Sequence, residues 1–462
     1  MPTSTTRSAR GDGPDDPERV DVIVIGAGVT GLTAAHRLNQ AGRKVVVVEA
    51  RDRVGGRLLT DRVDGVDLEI GGQWVSPDQQ ALLDLLDELA LTTFSRHREG
   101  DSVYVSRSTE RRRFTGELLP IEEEAAAEMT QAIEVLDELA AAMDPERPWA
   151  APFAAGLDRV TFRAWLEDHC THPEARDNLG LFVGPAMLTK PTHAFSALQA
   201  VQMAASAGGF SHLVDSNFIL DRRVVGGLHE VPRRLAEQLG DRVRTGQDVH
   251  AVEWRDSEVT VRTPGATYVA ARLLAAVPPT AVTRIRFHPP LPTVQRQLRQ
   301  HLSFGLVIKV HVTYAEPFWR ADGLSGTAFS PYQAVHEAYD NTNHGDTRGT
   351  LVGFVSDERA DELLQLDSRQ RRTRVLDSLV AYFGPQARQP TSYFESDWVS
   401  EDLGSGAYGV SFDVGGLTRY GPHLRQPVGP MEFASSDVAG LGFQHVDGAV
   451  RIGQQIADRM LS

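Results

Sequence analysis

Three glycines and one acid near the N-terminus carry the clearest chemical signal in this chain. Gly26, Gly28 and Gly31 follow an apolar run in the spacing G-x-G-x-x-G. In a βαβ unit the first glycine permits a tight turn, the second lets the backbone approach a pyrophosphate, and the third lets the helix pack on the strand. Glu49 ends the second apolar run, Val45–Val48, where an acid can bind a ribose hydroxyl. The segment therefore predicts a dinucleotide-binding unit, with phosphates at the helix N-terminus.

The residues that follow Glu49 indicate which dinucleotide is bound. Two glycines and three arginines come at once, in 51–57, and a plain nicotinamide-binding unit does not need them. They suit a longer cofactor, whose pyrophosphate and flavin continue past the second strand. The stretch 69–74 adds two glycines, whose backbone can lie flat against a ring because no side chain intervenes.

The series GAGVTG, EARDRVGGR and EIGGQW resembles the FAD-dependent amine oxidases, a branch of the glutathione-reductase-like flavoproteins. The resemblance extends to the C-terminus and covers nearly all of the chain after residue 20. It implies an α/β fold, an α+β two-domain flavoprotein with a glutathione-reductase-like FAD-binding domain and a discontinuous substrate domain. Stretches such as GGQWVSPDQ and EAYDNTNH are similar to a bacterial subgroup that oxidises diamines such as putrescine.

The same resemblance implies a division of the chain into interleaved segments. We expect 20–85, 220–290 and 395–462 to form the FAD-binding domain, and 86–219 and 291–394 to form the substrate-binding domain. The first substrate segment is expected to be mostly helical, since 121–143 is rich in Ala, Glu and Leu. Helices are also expected over 368–383 and 446–461. The polar residues 1–19 are expected to be a disordered tail and not a signal peptide.

By resemblance, the FAD is held without a covalent bond. Ala407 occupies the position, just before Tyr408, where monoamine oxidases attach the flavin through a cysteine, and alanine has no nucleophile. Cys170 is the chain's one cysteine and lies in a different segment. The expected cofactor-binding residues are Gly26, Gly28, Gly31, Glu49, Arg51, Gly56, Arg57, Gly72, Gln73, Trp74, Val249, Trp398, Asp437 and Val446.

Three residues are the expected catalytic groups. Lys309 lies in the apolar strand-like run GLVIKVHV, where a lysine is costly without a partner; the family's lysine holds a water against the flavin and assists O₂ reduction. Tyr408 resembles one wall of the family's aromatic cage. His445 stands where monoamine oxidases have a second tyrosine, which leaves open whether it is a wall, a hydrogen-bond donor or a pH sensor.

A diamine substrate needs a second anchor, because its far ammonium stays charged at neutral pH. Glu337 is the expected carboxylate, with Asp340 as the second choice. Further residues expected to line the substrate pocket are Trp74, Met187, Phe195, Gln199 and Met203.

The expected activity is oxidative deamination of a primary diamine to an aminoaldehyde, ammonia and hydrogen peroxide, with O₂ as acceptor. The alternatives are a flavin oxidase of a monoamine, a longer polyamine or an L-amino acid, and a flavin-fold binding protein without activity. An amino acid would require an arginine for its carboxylate, and the pocket segments offer no convincing one.

Composition narrows the partners and the location. The net charge of −15 argues against nucleic acid and mildly favours cationic substrates. No apolar stretch reaches the ~18–20 residues that span a bilayer, so we expect no membrane association. The single cysteine fits a reducing cytoplasm. No metal site is expected, and a homodimer is expected from the family alone.

Overall fold

The computed structural model describes residues 17–116, 119–403 and 406–462. Its twenty-two strands are β1 Glu18–Ile25, β2 Val45–Val48, β3 Thr60–Val63, β4 Val66–Glu69, β5 Trp74–Val75, β6 Thr93–Ser95, β7 Asp101–Val105, β8 Arg111–Phe114, β9 Arg222–Val224, β10 Val243–Arg244, β11 Ala251–Arg255, β12 Glu258–Arg262, β13 Thr267–Ala275, β14 Arg286–His288, β15 Leu302–Phe304, β16 Val307–Tyr314, β17 Leu324–Phe329, β18 Glu337–Asp340, β19 Gly349–Ser356, β20 Ser392–Glu395, β21 Val410–Phe412 and β22 Met431–Phe433.

The described residues also form sixteen α-helices. They are α1 Val29–Gln40, α2 Gln80–Glu88, α3 Glu123–Ala141, α4 Ala154–Leu157, α5 Phe162–His169, α6 Pro173–Val183, α7 Ala197–Ser206, α8 Phe210–Val214, α9 Ser216–Ile219, α10 Glu230–Leu239, α11 Thr293–Gln300, α12 Phe318–Ala321, α13 Asp357–Leu364, α14 Ser368–Phe383, α15 Gly416–Tyr420 and α16 Val446–Leu461.

An eight-stranded sheet forms the dinucleotide-binding half of the molecule. Its order is β10-β2-β1-β13-β12-β11-β14, with β22 paired to β13. The pairs β1–β2 and β1–β13 are parallel. Buried parallel strands read as continuous apolar runs because both faces are covered, and β2 is four buried valines. Helices α1, α10 and α16 cover one face.

A seven-stranded sheet forms the other half, in the order β20-β16-β19-β18-β17-β7-β8. Its two faces are different. Residues that alternate along each strand, such as Ile308 and Val310, pack with helices α13 and α14 in one apolar cluster. The intervening residues, such as Val307 and Phe354, face the larger cluster that holds the helices of 123–219. The second face is the one that carries the site described below.

One transverse row of this sheet crosses five strands. Lys309 pairs with Phe354, and Phe354 pairs with Glu337 on its other side. Glu337 pairs with Phe329, and Phe329 pairs with Tyr104. Directly paired residues point to the same face of a sheet, so all five side chains lie on the helix-cluster face. Lys309 and Glu337 are two strand spacings apart, about 10 Å between Cα atoms.

Several boundaries differ from the sequence-based expectation. Strand β1 begins at Glu18, inside the segment expected to be disordered, because the ladder with β13 continues through Arg19 and Lys44 Nζ donates to the Arg19 carbonyl. The rest of that tail, residues 1–16, lies outside the described residues. The segment 86–219, expected to be mostly helical, also contributes β7 and β8 to the seven-stranded sheet. Helix α14 and helix α16 have the expected bounds.

The strand membership of the two sheets supports the proposed division into domains. The eight-stranded sheet draws on the segments proposed for FAD, apart from the two residues that begin β1. The seven-stranded sheet draws on the two segments proposed for substrate, apart from the last residue of β20. Among the described residues, every helix is too short or too polar to cross a bilayer.

Candidate active site

A cavity of about 350 Å³ has walls from both sheets, and most of the expected site residues line it. Those residues are Gly26, Gly28, Glu49, Arg51, Gly56, Arg57, Gly72, Gln73, Trp74, Met187, Met203, Val249, Lys309, Glu337, Trp398, Tyr408, His445 and Val446.

The N-terminus of α1 lies at one end of the cavity, where a phosphate is expected. Gly28 is its N-cap, in extended backbone, and no side chain caps the helix. The first N–H groups of the helix therefore remain free for an anion. A Cβ placed on Gly28 would meet nothing within 4 Å, so the space in front of the helix is open. Gly31 does not line the cavity. A Cβ there would lie 2.1 Å from the Gly26 carbonyl oxygen, which is the close helix–strand packing that the motif predicts.

Glu49 lies at the end of β2 and is buried. Its carboxylate accepts the N–H of Ala27 at 2.8 Å and that of Arg51 at 3.0 Å. A carboxylate has about four acceptor positions, so capacity remains for ribose hydroxyls. The Arg51 guanidinium is held 2.5 Å from Glu401, and Val249 contributes apolar wall to the same end.

Arg57 and Asp437 connect the cofactor end to the rest of the cavity. Arg57 donates to both oxygens of Asp437, at 2.8 and 2.7 Å, and to the Tyr408 carbonyl at 2.8 Å. Asp437 also accepts the Val410 N–H at 2.8 Å. Asp437 does not itself line the cavity, so it acts by fixing Arg57 and the backbone that follows Tyr408.

The middle of the cavity suits a flat ring. Gly71 and Gly72 present backbone without side chains, and Trp398 donates from its indole N–H to the Ile70 carbonyl at 3.1 Å. A second helix, α16, begins here with His445 as an N-cap that makes no side-chain cap. Together with the open α1 terminus, these features fit a dinucleotide that carries a large planar ring, as FAD does.

Lys309 is buried beside the part of the cavity that suits a flat ring. Its Nζ donates to the carbonyls of Glu69 and Gly71, at 2.6 and 2.7 Å, and to Gln73 Oε1 at 2.5 Å. Burial lowers the pKa of Lys309 to about 7, against the favourable charge of Glu69. The carboxylate of Glu69 is paired with Arg223 at 2.6 Å in a buried ion pair, which holds the carbonyl-bearing strand end in place.

Aromatic rings enclose the space next to Lys309. Trp74 packs against Phe354 with ring centroids 5.8 Å apart and edge-on against Tyr339 at 5.4 Å. Phe354 meets Tyr408 edge-on at 6.1 Å. His445 also lines the cavity, with Nδ1 2.9 Å from the Phe443 carbonyl. The walls around a reacting group here are therefore largely apolar.

Glu337 places a carboxyl group among the aromatic residues at this end of the cavity. Burial raises the pKa of Glu337 to about 7, although the Tyr339 hydroxyl donates to it at 2.9 Å. A carboxyl with one hydrogen bond in an apolar enclosure is unfavourable as an anion until a cation joins it. A bound cation would therefore stabilise the Glu337 carboxylate, and the sheet fixes the distance of this carboxylate's strand from Lys309.

Three expected pocket residues lie elsewhere. Gln199 does not reach the cavity, because its amide accepts the Phe412 N–H at 3.3 Å and donates to Gln202 at 2.8 Å. Phe195 is stacked in the helical core against Phe162. Asp340 is on the strand of Glu337, but its carboxylate is held by Arg320 and by the Trp319 indole N–H, so it is not free for a substrate.

Five aromatic residues of the wall were not expected from the sequence: Phe182, Phe304, Phe329, Tyr339 and Phe354. Tyr339 could have been found, because it is two residues from Glu337 in a strand and so shares its face. The others depend on strand register and on how α6 packs, which one sequence does not reveal.

Comparison with known proteins identifies the family. The family model for flavin containing amine oxidoreductases matches residues 29–461. The chain belongs to this family of flavin enzymes, and its cofactor is FAD.

Individual relatives narrow the similarity further. The chain is 52% identical to putrescine oxidase from Kocuria rosea, over 96% of this chain and 95% of that protein. A solved structure of wild-type putrescine oxidase bound to putrescine has a TM-score of 0.96 and 55% identity, and the match covers 96% of this chain and 100% of that one. Cyclohexylamine oxidase from Brevibacterium oxydans gives a TM-score of 0.91 at 30% identity, over 96% and 98% of the two chains.

Two glycines of the dinucleotide motif should respond differently to alanine. Gly31→Ala should lower the free energy of unfolding by about 1–3 kcal/mol, because its Cβ collides with the Gly26 carbonyl. Gly28→Ala should leave stability within about 0.5 kcal/mol but weaken FAD binding, because its Cβ enters the open phosphate space. Urea unfolding and FAD titration of the apoprotein measure the two effects; equal stability of both variants would contradict this packing.

Lys309 should leave a pH signature in stability. Its folded pKa of about 7 lies below the unfolded value of about 10.4, so the unfolded chain binds more protons between these values and the lysine favours folding more as pH rises. The stability of Lys309→Met relative to wild type should therefore fall between pH 7 and 10, by up to about 1.4 kcal/mol per pH unit.

Thr313→Val is the matched control for this measurement. Thr313 is buried on the same face of β16 but does not line the cavity, so its stability difference from wild type should not change with pH. A pH-independent difference for Lys309→Met as well would show that Lys309 is not a desolvated cation.

Proposed function

We propose that the protein is an FAD-dependent oxidase that deaminates a primary diamine, putrescine or a close homologue, to an aminoaldehyde, ammonia and hydrogen peroxide. The observation that carries the proposal is Glu337, a buried carboxyl at the far end of an aromatic cavity whose other end accepts the dinucleotide. The similarity to proteins named putrescine oxidase supports the same substrate.

Bound FAD would supply the redox chemistry, by taking a hydride equivalent from the carbon next to the amine and returning two electrons to O₂. The protein supplies binding, orientation and electrostatics. It would hold the cofactor through the α1 terminus, Glu49 and Arg57. No cysteine stands at Ala407, and the Cys170 thiol is buried against α3, so the bond to the flavin is proposed to be non-covalent.

Glu337 would bind the ammonium that does not react. A diamine carries two ammonium groups with pKa values near 10, so the distal one is charged at neutral pH. Its charge would compensate the buried carboxyl and favour the ionised form of Glu337. This ion pair would fix the length of chain between the anchor and the reacting carbon, which converts binding energy into orientation.

The aromatic walls would prepare the other amine. Trp74, Phe354 and Tyr408 exclude water from the space beside Lys309. Desolvation lowers the pKa of an amine, so the reacting nitrogen would lose its proton more readily there than in water. Lys309, with its own pKa lowered to about 7, is the titratable group beside this point and would hold or release a proton there.

The charges of the cavity disfavour an L-amino acid as substrate. The arginines among its lining residues are Arg51, Arg57 and Arg284, and the first two are committed to the cofactor end. The substrate end instead presents Glu337, which would repel a carboxylate. A monoamine would fit the aromatic walls but would leave Glu337 without a partner.

The proposal has three further features: the electron acceptor, the oligomeric state and the location. O₂ as acceptor and a homodimer follow from the family resemblance. A cytoplasmic location is supported by Cys170, the one cysteine of the chain, which is buried and unpaired.

Glu337→Gln should separate a diamine from a monoamine. Loss of the buried partner should lower kcat/KM for putrescine by about 100-fold, while butylamine, which has no distal charge, should be unchanged or improved. In the wild type, KM for putrescine should rise as pH falls below about 7, because the protonated carboxyl cannot pair with the ammonium; Glu337→Gln should lose this pH dependence.

Asp340→Asn is the control variant, because Asp340 lies on the same strand but is held by Arg320. Its ratio of putrescine to butylamine turnover should equal that of the wild type. An unchanged ratio in Glu337→Gln, or a changed one in Asp340→Asn, would remove Glu337 from the proposed role.

A further inference from the structure

The row of residues that carries Lys309 and Glu337 does not end at Glu337. On the next strand Phe329 pairs with Glu337, and beyond it Tyr104 pairs with Phe329. Tyr104 is therefore two strand spacings from Glu337, the same interval that separates Glu337 from Lys309. Phe329 lines the cavity, whereas Tyr104 lies behind it and is fully buried.

Helix α6 lies against this end of the row. Glu174, Asn178 and Phe182 are spaced four residues apart, so they share one face of the helix at intervals of about 6 Å. Phe182 reaches the cavity and meets Phe329, with ring centroids 6.0 Å apart and planes tilted by 60°. The two rings come from different elements and together close the cavity at its Glu337 end.

A buried polar cluster lies directly behind the two rings. The Tyr104 hydroxyl donates to Glu174 Oε1 at 2.7 Å, and Asn178 Nδ2 donates to Tyr104 Oη at 3.0 Å and to the Glu174 carbonyl at 2.8 Å. Asn178 Oδ1 is fully buried and accepts no hydrogen bond from any described residue. A buried acceptor without a donor costs free energy, and here it lies beside a carboxyl. An alkylammonium, with three N–H donors, is the chemical group that such a set of acceptors fits.

We propose that Phe182 and Phe329 set the chain-length limit of the cavity, and that Glu174, Asn178 and Tyr104 form a second ammonium site that this pair of rings closes off. The inference rests on the proposed diamine function. In the triamine spermidine, a secondary ammonium lies four carbons from the reacting amine and a primary ammonium lies three carbons further. In this order the secondary ammonium would pair with Glu337 and the primary ammonium would reach the cluster, so removing either ring should favour a triamine bound in the same orientation as the diamine.

The alternative explanation is structural: the polar cluster only fixes α6 against β7. In that case a smaller residue at the wall would make room for any longer chain, whatever its charge. The two explanations differ in whether the third amine matters, and this difference decides the choice of probes.

The test compares kcat/KM, per bound flavin, for putrescine, spermidine and N-butylputrescine, which has the length of spermidine but no terminal amine. The variants are Phe329→Ala and, on the other element, Phe182→Ala. Phe162→Ala is the matched control, because Phe162 is equally buried in the helical core but does not line the cavity. A double variant combines Glu174→Gln with Phe329→Ala.

Each ring variant should raise the ratio of spermidine to putrescine at least about tenfold, while Phe162→Ala leaves the ratio as in the wild type. In the ring variants, kcat/KM for N-butylputrescine should rise less than kcat/KM for spermidine. Adding Glu174→Gln to Phe329→Ala should remove this difference without changing the rate with putrescine. Unchanged ratios in both ring variants would overturn the chain-length limit. Equal gains for spermidine and N-butylputrescine would overturn the second ammonium site.

Failure of this inference is distinguishable from failure of the proposed function. A wild type and a Phe162→Ala variant that turn over putrescine keep the diamine oxidase, whatever the ring variants do. A flavin-loaded wild type that does not turn over putrescine would overturn both the proposed function and this inference.

Discussion

Antiparallel pairing of β18, β19 and β16 holds a carboxyl and an amine on one row of a sheet, two strands apart. The distance between Glu337 and Lys309 is therefore set by backbone hydrogen bonds and not by flexible side chains. The cofactor end is fixed to the same row, since Lys309 Nζ donates to the carbonyls of Glu69 and Gly71, in the glycine stretch expected to face the ring. The spacing between the anchor and the reacting centre is thus a property of the fold.

Burial in the same apolar cavity shifts the pKa values of Lys309 and Glu337 in opposite directions. Burial lowers the pKa of Lys309 to about 7 and raises the pKa of Glu337 to about 7. Near neutral pH neither group need be charged, so the free protein avoids the full cost of burying them. Under the proposed function, a dicationic substrate would change this balance, since it would bring the charge that Glu337 lacks and give up a proton at its other end. Recognition and activation of the amine would then have one physical cause, the exclusion of water by aromatic rings.

The sequence alone was sufficient for the elements that are local. Gly26, Gly28 and Gly31 predicted the β1–α1 turn, and α16 has its expected bounds, because turn chemistry and helical periodicity are properties of short segments. The pairing of Glu337 with Phe354 and Phe329 was not predictable, because register depends on contacts distant in the chain. Gln199 illustrates the same limit: its side chain was expected at the cavity, but the amide points to Gln202 and Phe412.

The most direct measurement is the rate of anaerobic flavin bleaching by diamines of increasing length, each compared with the monoamine of equal length. Anchoring of the distal ammonium by Glu337, as proposed, predicts a single optimum among the diamines, expected at putrescine from the similarity to putrescine oxidases, with putrescine about 100-fold faster than butylamine. Readmission of air should restore the colour and release hydrogen peroxide. A diamine series that rises steadily with chain length, in parallel with the monoamines, would contradict the account, because it would mean that the cavity recognises apolar surface and not a second charge.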